Sequence, residues 1–151
     1  MMADRDFVTQ NKTERTRLAA LVGRLSDADL ARPLEAGWTV AAVLAHVAFW
    51  DQRALILLQQ WQKAGLAAVP HGLNEADTDW INDAGKPLFL AMAPRRAAET
   101  AVAIAEAVDR TIESLPDDFV ARNAAAATPV SLMRADHRRE HLDQIEAALG
   151  R

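Results

Sequence analysis

The chain has 151 residues, of which half are hydrophobic and a quarter are charged, and its formal net charge is -4. This length and composition predict one soluble globular domain over residues 1–151. The absence of cysteine excludes disulfides, a thiolate metal site and a cysteine nucleophile. No Lys/Arg-rich block is interleaved with aromatic residues, which argues against nucleic-acid binding.

The N-terminal segment and the apolar stretches favour a cytoplasmic protein without a membrane partner. The first residues, MMADRDFVTQNK, are charged and lack the apolar core of a signal peptide. The longest nearly uncharged stretch, residues 37–50, is too short to span a bilayer and contains His46.

Apolar residues three and four positions apart predict two long helices in the first part of the chain. The first covers residues 4–25. The second begins after Thr39, a suitable N-cap, and continues to about Lys63, beyond which Gly65 and Pro70 end it. Roughly a dozen residues join these two helices, so we expect them to be antiparallel neighbours.

Residues 64–93 form a long crossover that is rich in glycine and proline, and within it only residues 75–84 are predicted to be helical. The third long helix begins at Pro94 and ends at 115–116. The fourth begins at Thr128-Pro129 and ends at 149–150. A crossover of this length lets helices two and three run parallel. The sequence thus predicts an all-α four-helix bundle with up-down-down-up topology.

Three histidines fall on predicted core faces. His137 and His141 are one turn apart on the inward stripe of helix four, and such a pair can present two imidazoles to one ion. His46 is the single titratable side chain within residues 39–50. A half-exposed pair and a lone core histidine are the alternatives, but three buried neutral imidazoles are more easily explained by a metal. His71, in a Pro-His-Gly loop, is expected to be exposed.

The other polar side chains near these histidines allow two interpretations. Asp51, Asp136 and Glu140 could orient imidazoles or act as a base, although solvated surface carboxylates are the favoured interpretation. Arg134 and Arg138 could attract an anionic substrate, although surface ion pairs are the favoured interpretation. The four tryptophans are expected in the core or at a dimer interface, with Trp50 a possible wall of the pocket; they are Trp38, Trp50, Trp61 and Trp80.

The sequence resembles the DinB-like metal-binding four-helix superfamily. The resemblance rests on Trp38-Thr39, on His46 seven residues later, and on the HxxxH pair His137 and His141; it also covers the turn LSDADL (25–30) and Asn82. The chain is most similar to the branch that includes the N-terminal domain of mycothiol-dependent maleylpyruvate isomerase. Bacillithiol S-transferases belong to the same superfamily.

This resemblance implies an up-down-down-up bundle that often forms a homodimer. It also implies a zinc or nickel site at one end of the bundle, with His46, His137 and His141 as the ligands. Some members, including the isomerase, have glutamate where this chain has His137. The isomerase also has an additional C-terminal domain that these 151 residues do not contain.

Three protein ligands would leave coordination positions for water or substrate, which is typical of catalytic sites. Because the chain has no cysteine, any thiol must come from a small cosubstrate. We therefore expect a metal-dependent enzyme that uses a small thiol, namely an S-transferase or isomerase, or else a hydrolase acting on an electrophilic substrate. The alternative is a non-enzymatic metal-binding stress-response bundle.

Overall fold

The computed structural model describes residues 5–150, and 76% of the protein is helical. No strand occurs among these residues, where only an isolated bridge joins Pro33 and Thr39. A short 3-10 turn, Glu35–Gly37, precedes α3. The α-helices in chain order are α1 (Asp6–Arg24), α2 (Asp27–Leu30), α3 (Val40–Ala64), α4 (Glu75–Ala91), α5 (Pro94–Glu113), α6 (Asp117–Ala124) and α7 (Ala135–Leu149).

The four long helices α1, α3, α5 and α7 form the bundle. Helix α1 packs against α5 and α7, whereas α3 packs mainly against α5, with a smaller contact to α7, and α4 lies on the outside of α3. The expectation that the first two long helices are close neighbours is therefore wrong. The buried faces of α3 and α5 are lined with alanine, which lets these two backbones approach closely and gives them the most extensive contact in the bundle.

Contacts between side chains give the directions of the helices. Arg5 at the start of α1 pairs with Asp117 just beyond α5, and Arg95 at the start of α5 donates to the carbonyl of Leu25, so α1 and α5 are antiparallel. Arg17 pairs with Glu146, in the second half of both α1 and α7, whereas Asn11 reaches the residues that precede α7. Helix α7 therefore runs parallel to α1.

Helix α3 is central to the fold and carries part of the candidate site. Among residues 5–150 it is the one helix that is long and apolar enough to cross a membrane, but 72% of its apolar window is buried against the other helices. Its side chains contribute to two apolar layers, one with the start of α5 and the other with its end. Burial of this kind is typical of the core helix of a bundle.

The crossover helix α4 is longer than predicted, because it continues through Gly85 and Pro87 to Ala91. Both residues are usual helix breakers, so the sequence placed the end at residue 84. The glycine leaves room on the helix for Phe89, since a Cβ at position 85 would lie 2.8 Å from its ring, which would have to shift. No residue of α4 is buried, and this helix forms an outer wall of the bundle.

The prediction that the fourth long helix begins at residue 128 is wrong, and the short helix α6 was not predicted. Two buried asparagines explain why residues 128–134 stay irregular. The side chain of Asn123 bonds both backbone groups of Val130 at 2.9 Å, and that of Asn11 bonds the carbonyl of Leu132 and the N–H of Ala135 at 2.8 Å. Side chains thus replace helical hydrogen bonds here. The predicted helix start at residue 4 lies outside the described residues.

Candidate metal centre

Three histidines from two helices meet at one place. His46 lies in the second turn of α3, which is capped by the hydroxyl of Thr39 accepting from the N–H of Ala42. His137 and His141 lie on successive turns of α7, which runs antiparallel to α3. Contacts between α3 and α7 bring the three rings together, with centroids 4.7–4.9 Å apart.

The three imidazoles present their Nε2 atoms to one point. The Nε2 atom of His137 is 3.0 Å from that of His46 and 3.2 Å from that of His141. Nitrogen ligands about 2.1 Å from one ion, at angles of about 90–110°, are separated by about 3.0–3.4 Å. The separations therefore match those of ligands that share one divalent ion, and the cluster could hold a metal.

Hydrogen bonding within the cluster cannot satisfy all three nitrogens. A ring nitrogen either carries a proton and donates or has a lone pair and accepts, so the Nε2 of His137 cannot donate to one neighbouring histidine and accept from the other. The Nδ1 atom of His141 is 2.9 Å from Oε1 of Gln144, which favours a proton on Nδ1 and leaves Nε2 with a bare lone pair. Convergent lone pairs of this kind suit a cation.

Burial keeps two of the rings neutral. It lowers the pKa of His46 to about 4, with a smaller effect from the charge of His141. It also lowers the pKa of His137 to about 3, helped by His141, His46 and two nearby arginines. Both rings are therefore unprotonated near neutral pH, which is the form that binds metal.

The cluster lies at the bottom of a cavity of about 750 Å³ that opens between α3, α4 and α7. Trp50 lines one side, where its indole N–H donates to Oδ1 of Asn82 on α4 at 2.8 Å. The exposed carboxylates Asp79 and Asp83 of α4 lie at the mouth. The cavity is large enough for a small molecule to contact the histidines.

An aromatic wall of Trp38 and Phe89 flanks His46 on one side of the histidine cluster. The ring of Trp38 meets His46 edge-on at 5.7 Å, and Phe89 lies 6.5 Å from the same imidazole. Lys86 holds this wall in place, since its ammonium lies over the Trp38 ring and donates to the carbonyl of Ala36. This wall limits the access of water to His46 from that direction.

A buried ionic network lies directly behind the histidines. Arg138 has a fully buried side chain that donates to Asp51 and, with two nitrogens, to Asp109. Arg15 also donates to Asp109, and Arg134 to Asp51. The favoured interpretation of Asp51 and Arg138 as surface residues is therefore wrong. The network as a whole joins the four bundle helices, and the pair of Asp51 with Arg138 fixes the position of α7 relative to α3.

The remaining sequence-predicted candidates fall outside the cluster. His71 is only partly exposed, because its ring packs on Trp61 at 5.3 Å and its Nε2 bonds the carbonyl of Thr128. Asp136 is exposed and pairs with Arg139. Glu140 is exposed but lines the cavity. Of the tryptophans, Trp61 is buried, Trp38 and Trp50 are partly buried, and Trp80 is 61% exposed.

Sequence reasoning missed Gln144 and Asp109. Gln144 lies three residues after His141, a spacing that places both on one helical face and could have indicated the contact. Asp109 carries no such local signal, since its partners lie on α1 and α7.

The fold and the three convergent histidines together define a helical bundle that could bind a metal ion. The sequence profile of the DinB superfamily matches residues 10–145, which is most of the chain, so the protein belongs to the DinB superfamily. No curated protein and no solved structure gives a significant match.

Proposed function

We propose that the protein binds one zinc or nickel ion through the Nε2 atoms of His46, His137 and His141. The observation that carries this proposal is the convergence of three Nε2 atoms, 3.0 and 3.2 Å apart, at the bottom of an open cavity. Three neutral ligands preserve the full charge of a divalent ion. The family membership supports the same site.

We further propose that the centre serves a small-thiol-dependent S-transferase or isomerase. When bound, the metal would supply a Lewis acid that lowers the pKa of a thiol or a water in an open coordination position. The chain holds the three imidazoles in place through the Arg138 network and shields them with the aromatic wall. Because it has no cysteine, the thiol must be a cosubstrate, and the resemblance to the mycothiol-dependent branch indicates its class.

Metal analysis of purified protein tests the ligand set. Protein prepared without chelator should carry about one zinc or nickel per chain, and alanine at any of the three histidines should remove most of it. His71→Ala is the matched control, since His71 is an imidazole with its own hydrogen-bond partner. If His137→Ala keeps its full metal content, the metal site is wrong.

The reaction class needs a separate experiment. Metal-loaded protein is incubated with mycothiol or glutathione and a chromogenic electrophile, and in parallel with a chromogenic ester and no thiol. A metal-dependent rate only with thiol supports the transferase, whereas a rate only with the ester supports a hydrolase. No metal-dependent rate in either assay, with metal still bound, would favour the non-enzymatic bundle.

We also propose a homodimer, because several large apolar side chains are left exposed. Leu88 and Trp80 on α4 are 70% and 61% exposed, and Ile56 on α3 is 44% exposed. Sedimentation velocity at micromolar concentration should show a dimer that Leu88→Glu converts to monomer. Wild-type protein that sediments only as a monomer would contradict the proposal.

A further inference from the structure

Arg134 presents a fixed guanidinium to the same cavity. It lines the wall at the start of α7, and its Nε donates to Oδ1 of Asp51 at 2.8 Å. Asp51 is itself 1% exposed and held on its other oxygen by Arg138. Within residues 5–150 the two terminal nitrogens of Arg134 have no hydrogen-bond partner. Four strong donor hydrogens are thus held at a cavity wall without acceptors.

Asn82 places a second oriented donor on the α4 side of the cavity. Its Oδ1 accepts the indole N–H of Trp50 at 2.8 Å, which fixes which end of the amide carries the hydrogens. The NH₂ group has no acceptor among the described residues. A buried tryptophan N–H usually finds an acceptor, so this pairing also explains why an amide suits position 82.

A second arginine, Arg53, lies beside Trp50. Arg53 lies over the Trp50 ring at 5.6 Å and donates to the carbonyl of His71, but it pairs with no carboxylate of residues 5–150. Burial, together with repulsion from Arg134, lowers the pKa of Arg53. An anion in the cavity that Arg134 lines would reduce the repulsion between these two guanidiniums.

We propose that Arg134 and Asn82 bind the carboxylate group of the substrate beside the three-histidine centre. A planar carboxylate can accept two parallel hydrogen bonds from the free edge of the Arg134 guanidinium. The inference rests on the proposed function, because it places an anionic substrate class in the cavity of that site. The carboxylates Asp79, Asp83 and Glu140 line the same cavity and oppose it, but they are exposed and solvent screens their charge.

Propionate and propionamide are suitable probes, since they have nearly the same shape and differ in charge. Each is titrated into ¹⁵N-labelled protein, with and without bound metal, and the indole N–H resonance of Trp50 is followed, assigned with Trp50→Phe. Propionate should shift this resonance in both forms of the protein, and propionamide should not. Arg134→Gln should weaken propionate binding by about tenfold or more, while the exposed-surface control Arg122→Gln leaves it unchanged.

Asn82→Asp gives a second test that does not depend on the folding of the Arg134 variant. It keeps an acceptor for the Trp50 N–H but replaces the free donor with an acceptor, so propionate should bind more weakly. Asp79→Asn should act in the opposite direction and strengthen it.

Equal propionate binding by wild type and Arg134→Gln, or binding of propionamide as tight as that of propionate, would overturn the inference. Binding confined to metal-loaded protein and unchanged in Arg134→Gln would also overturn it, as an anion on the metal alone. The metal content, measured on the same samples, reports separately on the proposed metal site.

Discussion

Two adjacent residues of α7, His137 and Arg138, have opposite environments. Arg138 is 1% exposed and donates to both Asp51 and Asp109, so its charge is fully compensated within the fold. His137 faces the cavity, and its Nε2 lies against two other imidazole nitrogens that cannot all be satisfied by hydrogen bonds. A step of one residue along the helix thus separates a complete polar network from an incomplete one.

This contrast distinguishes polar groups that hold the fold from those that hold a ligand. Buried charges persist in proteins when they are paired and hydrogen-bonded, and the Arg138 network meets that condition. Convergent lone pairs that no protein donor satisfies point instead to a group from outside the chain. The two clusters are also mechanically connected, since the network fixes α7 against α3.

The largest effect is expected from breaking the buried network. Arg138→Ala leaves Asp51 and Asp109 buried without their main partner, so the free energy of unfolding should fall by about 3–5 kcal/mol. Urea denaturation with chelator present measures it. The surface control Arg122→Ala should change stability by less than about 0.5 kcal/mol. A loss below about 1 kcal/mol for Arg138→Ala would show that the network is not structural.

Metal should stabilise the fold through the histidines. A metal concentration about 100 times the dissociation constant should raise the free energy of unfolding by about 2.7 kcal/mol. His137→Ala should abolish this increment, which is read from urea denaturation with and without zinc, whereas Arg122→Ala should retain it. An increment that survives in His137→Ala would mean that the ion binds elsewhere.

Acid should destabilise the metal-free protein through the same rings. The folded pKa values of His46 and His137, about 4 and about 3, lie below the ordinary value of 6.5, so the unfolded chain binds more protons between these limits. Stability should be unaffected by these rings above pH 6.5. It should fall as the pH drops toward 3, by up to about 1.4 kcal/mol per pH unit for each ring.

The pH dependence is measured by urea denaturation in chelator at several pH values. His46→Gln should flatten the slope, because one of the two protons no longer titrates. A slope that is the same in wild type and His46→Gln would contradict the assignment to these rings.

The smallest effect is expected at His71, an imidazole that already has a hydrogen-bond partner within the protein. His71→Ala removes the bond to the carbonyl of Thr128 and the contact with Trp61, which should cost about 1 kcal/mol. Metal content should stay unchanged. Loss of metal from His71→Ala would remove the distinction between the satisfied and unsatisfied histidines.

Local patterns determined most of the helices and the histidine set. Helical periodicity and a cap at Thr39 predicted α3, and Pro94 at a first turn predicted the start of α5, because both signals act within a few residues. The HxxxH spacing put His137 and His141 on one face for the same reason. That His46 joins them was inferred from the difficulty of burying three neutral imidazoles without a metal, and from the resemblance to the DinB-like superfamily.

Only the tertiary structure decided which polar residues are structural and where the last helix begins. Asn11 replaces the first turn that residues 128–134 would have formed, and it lies more than a hundred positions away in sequence. From the sequence alone, Asp51 and Arg138 look like surface charges. Only the packing of the helices shows that Arg138 is buried between Asp51 and Asp109. A hydrogen bond or ion pair between distant segments has no period along the chain. The sequence by itself therefore determined most of the helices and the histidine pattern, whereas packing decided the start of the last helix and the partners of the buried polar residues.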